Sequence, residues 1–104
     1  MPLLNTLATP YAEALLQVTD ARSESEDVAG QCKELLSVWE SSTALREAMT
    51  SPVLEPAAKK KALGQLLAEQ IKPSLMNLLK GLADRQRLAA LDAVLCRYLE
   101  LYRE

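Results

Sequence analysis

The sequence contains no histidine. That removes the commonest general base and the commonest metal ligand. Only three of its 104 residues are glycine, so no glycine-rich loop is present to cradle a phosphate. The two cysteines, Cys32 and Cys96, stand far apart in helical patterns. They read as buried thiols acting as small hydrophobes, not as a disulfide. No apolar run approaches the roughly 20 residues that cross a bilayer, so no direct membrane insertion is expected. The opening residues, Met-Pro-Leu-Leu-Asn-Thr, carry neither a basic region nor a long apolar block, which predicts no signal or transit peptide. A net charge of −2 gives no basic footprint for nucleic acid.

What is present is ordinary for a folded soluble domain. Hydrophobic residues make up 49% and charged residues 25% of the chain. At this length one domain, residues 1–104, with a real core is expected. No strand-like alternation extends beyond a few residues, and no repeat of fixed period occurs. Six helices joined by short connections predict an all-α fold, a compact six-helix bundle.

The stretch from Leu75 to Leu91 organises the chain. Leu75, Leu78, Leu79 and Leu82 recur at steps of three and four, the stripe of a helix facing a core. Beside them Ser74, Asn77, Leu78 and Gly81 form a stripe of small or polar residues, where another backbone can approach closely. Asp84-Arg85-Gln86-Arg87 then makes a charged corner. The sixth helix follows, with Leu88, Leu91, Leu95, Tyr98 and Tyr102 at the spacing of a packing seam. It reaches Arg103 and Glu104 without a stop signal, which predicts a longer natural chain.

The first helix has its start signal at Thr9-Pro10, with a start a turn earlier, near Asn5 or Thr6, also allowed. It carries two apolar stripes. Tyr11, Ala14, Leu15 and Val18 form one; Ala8, Ala12 and Leu16 form the other. One-sided packing does not require so much apolar circumference, so this helix lies deep in the bundle or binds a partner. Ser23 and Glu26 suggest a capping box for the second helix, whose inward face is Val28, Cys32, Leu35, Leu36 and Trp39. Ser41-Ser42-Thr43 opens a short third helix with Ala44, Leu45, Ala48 and Met49 inward, stopped at Ser51-Pro52. Glu55-Pro56 opens the fourth, with Ala62, Leu63, Leu66 and Leu67 inward and Lys59, Lys60 and Lys61 on a solvated face.

Catalysis needs a nucleophile, a base and an orienting group that converge. The acidic residues here fall in a loop or on wet faces, so no catalytic, cofactor-binding or metal-binding residues are identified. The residues point to a binding module. Its groove lies between the first and fifth helices and fits an amphipathic helix docked by apolar anchors. An unrelated helical adaptor would show the same features, and a small enzyme is a third reading.

Three segments carry a resemblance: Pro10-Tyr11-Ala12-Glu13-Ala14-Leu15; Leu45-Arg46 with Ser51-Pro52-Val53-Leu54 and Lys59-Lys60; and Asn77-Leu78-Leu79 through Leu82-Ala83-Asp84, Arg87-Leu88 and a helix ending in Tyr98. In this order they resemble the delta subunit of the F-type ATP synthase, the oligomycin-sensitivity-conferring protein family. The Ile71-Lys72-Pro73 approach and the charged corner are most similar to its cyanobacterial and chloroplast branch. The resemblance covers the whole chain but only the family's N-terminal domain; the C-terminal, stalk-binding domain is absent. It implies a stator connector without catalytic activity, peripheral to an energy-transducing membrane, thylakoid or bacterial inner membrane, on the cytoplasmic side. It implies two partners: the N-terminal helix of an alpha subunit, and b-type subunits of the peripheral stalk gripped by the missing domain. By position, Tyr11, Ala14, Leu15, Val18, Asn77, Leu78, Lys80 and Gly81 match the family's partner-binding surface. Relatives often have Asn-Gly where this chain has Arg85-Gln86, which leaves the geometry of that corner open.

Overall fold

The computed structural model describes the backbone of residues 2–104 and the side chains from Thr6 onward. The described residues form six α-helices: α1 (Pro2–Ala21), α2 (Ser25–Ser41), α3 (Thr43–Thr50), α4 (Pro56–Leu67), α5 (Pro73–Asp84) and α6 (Leu91–Arg103). A single 3₁₀ turn, Leu88–Ala90, leads into α6. No strand occurs among them, and the expected all-α bundle is observed.

α1 starts earlier than its Thr9-Pro10 signal suggests, which leaves Pro10 inside the helix. An interior proline removes a backbone donor and crowds the preceding turn. Here its exposed ring lies away from the core, while Ala8 just before it is fully buried. Burial of Ala8 against the core anchors the helix on the N-terminal side of the proline. The inward row of α1 is Ala8, Ala12, Leu15 and Thr19, packed chiefly on α6.

The α1–α2 corner replaces the expected capping box. Glu24 N–H donates to Thr19 C=O at 2.8 Å, and Ser23 N–H to Asp20 C=O at 3.1 Å. This is the Schellman closure of a helix, and it requires a left-handed residue at Ser23, where φ is 57°. Ser23 therefore ends α1 and does not cap α2. The α5–α6 corner repeats the device. Arg87 N–H donates to Leu82 C=O at 2.7 Å and Gln86 N–H to Ala83 C=O at 3.1 Å, with φ 55° at Gln86. The conformation that glycine takes freely is forced here on glutamine. Gln86→Gly is expected to raise stability by about 1 kcal/mol, because a side chain in this region costs about 1–2 kcal/mol. A thermal melt followed by circular dichroism checks this. A lower midpoint for the variant contradicts it.

The core joins Val28, Cys32, Leu35 and Trp39 of α2 to Leu75, Leu79 and Leu82 of α5, and to Leu91, Val94, Leu95 and Tyr98 of α6. The capping expected at the start of α3 is present: Ser42 Oγ accepts from Leu45 N–H at 3.2 Å. Arg46 closes the end of α2, donating to the carbonyls of Trp39 at 2.5 Å and Glu40 at 2.7 Å. A cation at a helix C-terminus meets both the free carbonyls and the helix dipole.

Several inward assignments need correction. Leu66 is 55% exposed and Tyr102 38% exposed, and Ala44 is exposed. Each lies at the edge of its apolar arc, where a short helix has no neighbour to cover it. Lys59, expected in solvent, is buried, because α4 packs on α5 through the row Lys59–Leu63. Lys60 pairs with Asp84 at 2.7 Å, and only Lys61 of the three is exposed. Both cysteines are free, but only Cys32 is buried; Cys96 is exposed. Burial pushes the Cys32 thiol up to about 12.

Candidate functional site

α1 has two faces. With Ala8, Ala12, Leu15 and Thr19 turned into the core, the row Tyr11, Ala14 and Val18 is left outside. Ala14 is exposed, and Val18 is 43% exposed. α5 lies alongside and presents Ser74, Asn77 and Leu78. Together these residues line an open trough of about 230 Å³, with Leu15 as its floor. Leu15 is buried, so it supports the trough from below. The Ser74 hydroxyl is also buried and has no hydrogen-bond partner among the described residues, so the floor is not wholly apolar.

The trough does not stop at Tyr11. A second opening of about 590 Å³ shares Tyr11 and Ala14 with it and continues past Leu7 and Pro10 to Arg85 and Arg87. The two openings make one channel along α1, apolar for most of its length and basic at one end. At that end the Tyr11 hydroxyl accepts from Arg87 Nη1 at 2.7 Å and from Arg85 Nη1 at 3.3 Å. Partial burial raises the Tyr11 phenol, but the hydrogen bonds and charges of Arg87 and Arg85 outweigh it, leaving the group below its ordinary value.

Of the eight residues expected at a partner surface, Tyr11, Ala14, Leu15, Val18, Asn77 and Leu78 come together in the trough. Lys80 and Gly81 line neither opening. Lys80 is exposed, turned by its place on the helix away from the Ser74–Leu78 row. Gly81 is half-buried, and a Cβ added there would meet no atom within 4 Å. The fold itself has no need of glycine at this position.

Arg85 and Arg87, from the charged corner and outside the expected partner surface, form the basic end of the channel. The signal was available for Arg85. It follows Leu78 by seven residues and Gly81 by four, so it shares their face of α5. Arg87 arrives through the left-handed turn at Gln86, which no helical spacing predicts.

A separate cavity of about 350 Å³ was not foreseen. It lies among α2, α3 and α4, lined by apolar residues including Trp39, Leu45, Met49, Leu63 and Leu66. It contains no titratable side chain. Among the described residues no group of three or more His, Cys, Asp or Glu is placed to hold a metal ion. No described helix is long and apolar enough to cross a membrane.

Comparison with known proteins gives one consistent result. Residues 7–104 match the family described as ATP synthase delta (OSCP) subunit. The ATP synthase subunit delta of Synechococcus sp. (strain WH7803) is 89% identical over all 104 residues, which cover 57% of that protein. The subunit delta of Synechococcus sp. (strain CC9311) is 80% identical over the same span. That of the Paulinella chromatophora organellar chromatophore is 66% identical. The chain thus spans a little over half the length of these relatives. No solved structure matches.

Proposed function

Because the chain belongs to the ATP synthase delta (OSCP) subunit family, we propose that it is the head-binding part of the enzyme's stator connector. In this reading the α1–α5 trough holds the N-terminal helix of an alpha subunit at the top of the catalytic head. The b-type subunits of the peripheral stalk are gripped by other parts of the whole protein. The connection keeps the head from turning with the rotor, so that torque drives nucleotide synthesis. The role is mechanical and non-catalytic, and no cofactor is involved. The protein sits on the cytoplasmic side of a thylakoid or bacterial inner membrane, held there by its partners.

One observation carries the reading. α1 exposes a second apolar row, Tyr11, Ala14 and Val18, directly beside Asn77 and Leu78 of α5. An amphipathic helix presents anchors at steps of three and four, which match such a row. A few buried apolar contacts then supply most of the affinity.

Titrating a synthetic peptide of the alpha-subunit N-terminus into the isotope-labelled chain tests the proposal. Amide shifts are expected to concentrate at Ala14, Val18, Asn77 and Leu78. Calorimetry is the better measure of affinity than Trp39 fluorescence, because Trp39 lines the separate cavity. Shifts gathered around Trp39, Leu45 and Leu66 instead would overturn the assignment of the trough.

A further inference from the structure

The basic end of the channel has an unusual donor balance. Two guanidinium groups converge on one neutral phenol, at 2.7 and 3.3 Å. Like charges this close repel, and a nearby carboxylate ordinarily offsets the cost. Among the described residues neither Arg85 nor Arg87 has a carboxylate within ion-pair distance. The neighbouring Asp84 is already held by Lys60 at 2.7 Å. The phenol accepts from both arginines, so its own hydrogen is left to donate, and no described group receives it. Each guanidinium keeps further N–H groups, since arginine has five and accepts nothing. The channel end is therefore rich in N–H and O–H donors, and among the described residues no carboxylate pairs with either arginine.

We propose that Tyr11, Arg85 and Arg87 form a carboxylate-reading pocket that fixes the direction of the helix lying in the trough. The inference rests on the trough reading above and adds the chemistry of its occupant. The partner helix has an apolar stripe for Ala14, Val18 and Leu78, and an Asp or Glu side chain at the end that reaches Arg87. A carboxylate is acceptor-only and takes paired N–H groups well. Reversing the helix would move its acid to the apolar end, beside Val18, where nothing compensates its charge. The lowered phenol value of Tyr11 accords with this positive surrounding.

The test is a double-mutant cycle between chain and peptide. The chain is used as wild type, as Arg87→Gln, and as the Arg85→Gln/Arg87→Gln pair. These side chains are exposed, and thermal melts establish that the variants fold. The probe is the synthetic alpha-subunit N-terminal peptide, together with versions in which each Asp or Glu is changed singly to Asn or Gln. The double variant is expected to weaken wild-type peptide binding about tenfold at low salt, with the gap shrinking at about 0.5 M salt. One acid-to-amide peptide is expected to lose a similar factor on the wild-type chain and nothing further on the double variant.

Equal affinity of the wild-type peptide for all three chains, with Ala14→Asp still blocking it, overturns the carboxylate pocket and leaves the trough standing. Loss on the double variant that no acid-to-amide peptide reproduces also overturns it. Absence of binding to the wild-type chain overturns the trough and the pocket together.

Discussion

Ala14→Asp is expected to weaken binding of the alpha-subunit N-terminal peptide by a hundredfold or more, about 3 kcal/mol, because it replaces a small apolar contact with a bulkier charged group that a docking helix must desolvate. In the free chain Ala14 is exposed, so the new carboxylate stays in water until a partner arrives. The fold should lose no more than the helix-propensity difference, at most about 0.7 kcal/mol. Binding and stability therefore separate, which most groove mutations do not achieve. Val18→Asp, farther from the arginines, should act in the same direction. Gln17→Asp is the control: Gln17 is exposed and lines neither opening of the trough. Calorimetry on the three variants decides the matter. Wild-type affinity for Ala14→Asp would remove α1 from the contact.

The second large effect is on stability and lies at Tyr98. This side chain is fully buried. Its hydroxyl meets Thr19 Oγ1 at 2.9 Å and donates to the Ser25 carbonyl at 3.3 Å. Ser25 Oγ also donates to Thr19 Oγ1 at 2.9 Å. The ring stacks on Tyr102 with centroids 6.5 Å apart. One residue of α6 thus ties α1 and the start of α2 to the core. Tyr98→Ala is expected to cost about 3–5 kcal/mol, the range for emptying an aromatic site in a core. Domains hold only about 5–15 kcal/mol in total, so much of the chain's stability is at stake. Tyr98→Phe keeps the ring and should cost about 1–2 kcal/mol, through the lost hydrogen bonds. Urea unfolding separates the two; a loss below about 1 kcal/mol for Tyr98→Ala contradicts this account.

The same residue gives a pH signature. Burial pushes the Tyr98 phenol above its ordinary value of 10.0, only partly offset by its hydrogen bonds to Thr19 and Ser25. Burial moves the Cys32 thiol in the same direction, from 9.0 to about 12. Groups raised in the folded state contribute their stability in full below the unfolded values and lose it as pH climbs toward the folded ones. Unfolding free energy should therefore decline from about pH 9 upward, less steeply in Tyr98→Phe.

Much of the trough was legible in the sequence because it follows from helical period alone. Tyr11, Ala14 and Val18 share a face whatever α1 packs against, and so do Ser74 and Leu78 on α5. The sequence also showed that α1 had more apolar surface than one packing face requires. It did not say which stripe would turn inward. That choice came from α6, against which Ala8, Ala12, Leu15 and Thr19 fit, leaving Tyr11, Ala14 and Val18 outside.

The two left-handed corners share a cause. Ser23-Glu26 has the pattern of a capping box, and Arg85-Gln86 lacks glycine, yet Ser23 and Gln86 both adopt the left-handed conformation that closes a helix. Local propensity opposes that geometry, and the packing of the flanking helices overrides it. Lys59 went inward because α5 covers its face of α4.

By itself, then, the sequence determined the all-α class, the number of helices and the rows of residues that share a face on α1 and on α5. These depend on periodicity and composition, which are properties of the chain taken in order. Only the tertiary structure decided which face of α1 stayed open, and that Arg87 meets Arg85 at Tyr11. Tyr11 and Arg87 lie 76 positions apart. Their meeting depends on how whole helices pack and on one left-handed corner, and no local pattern encodes either.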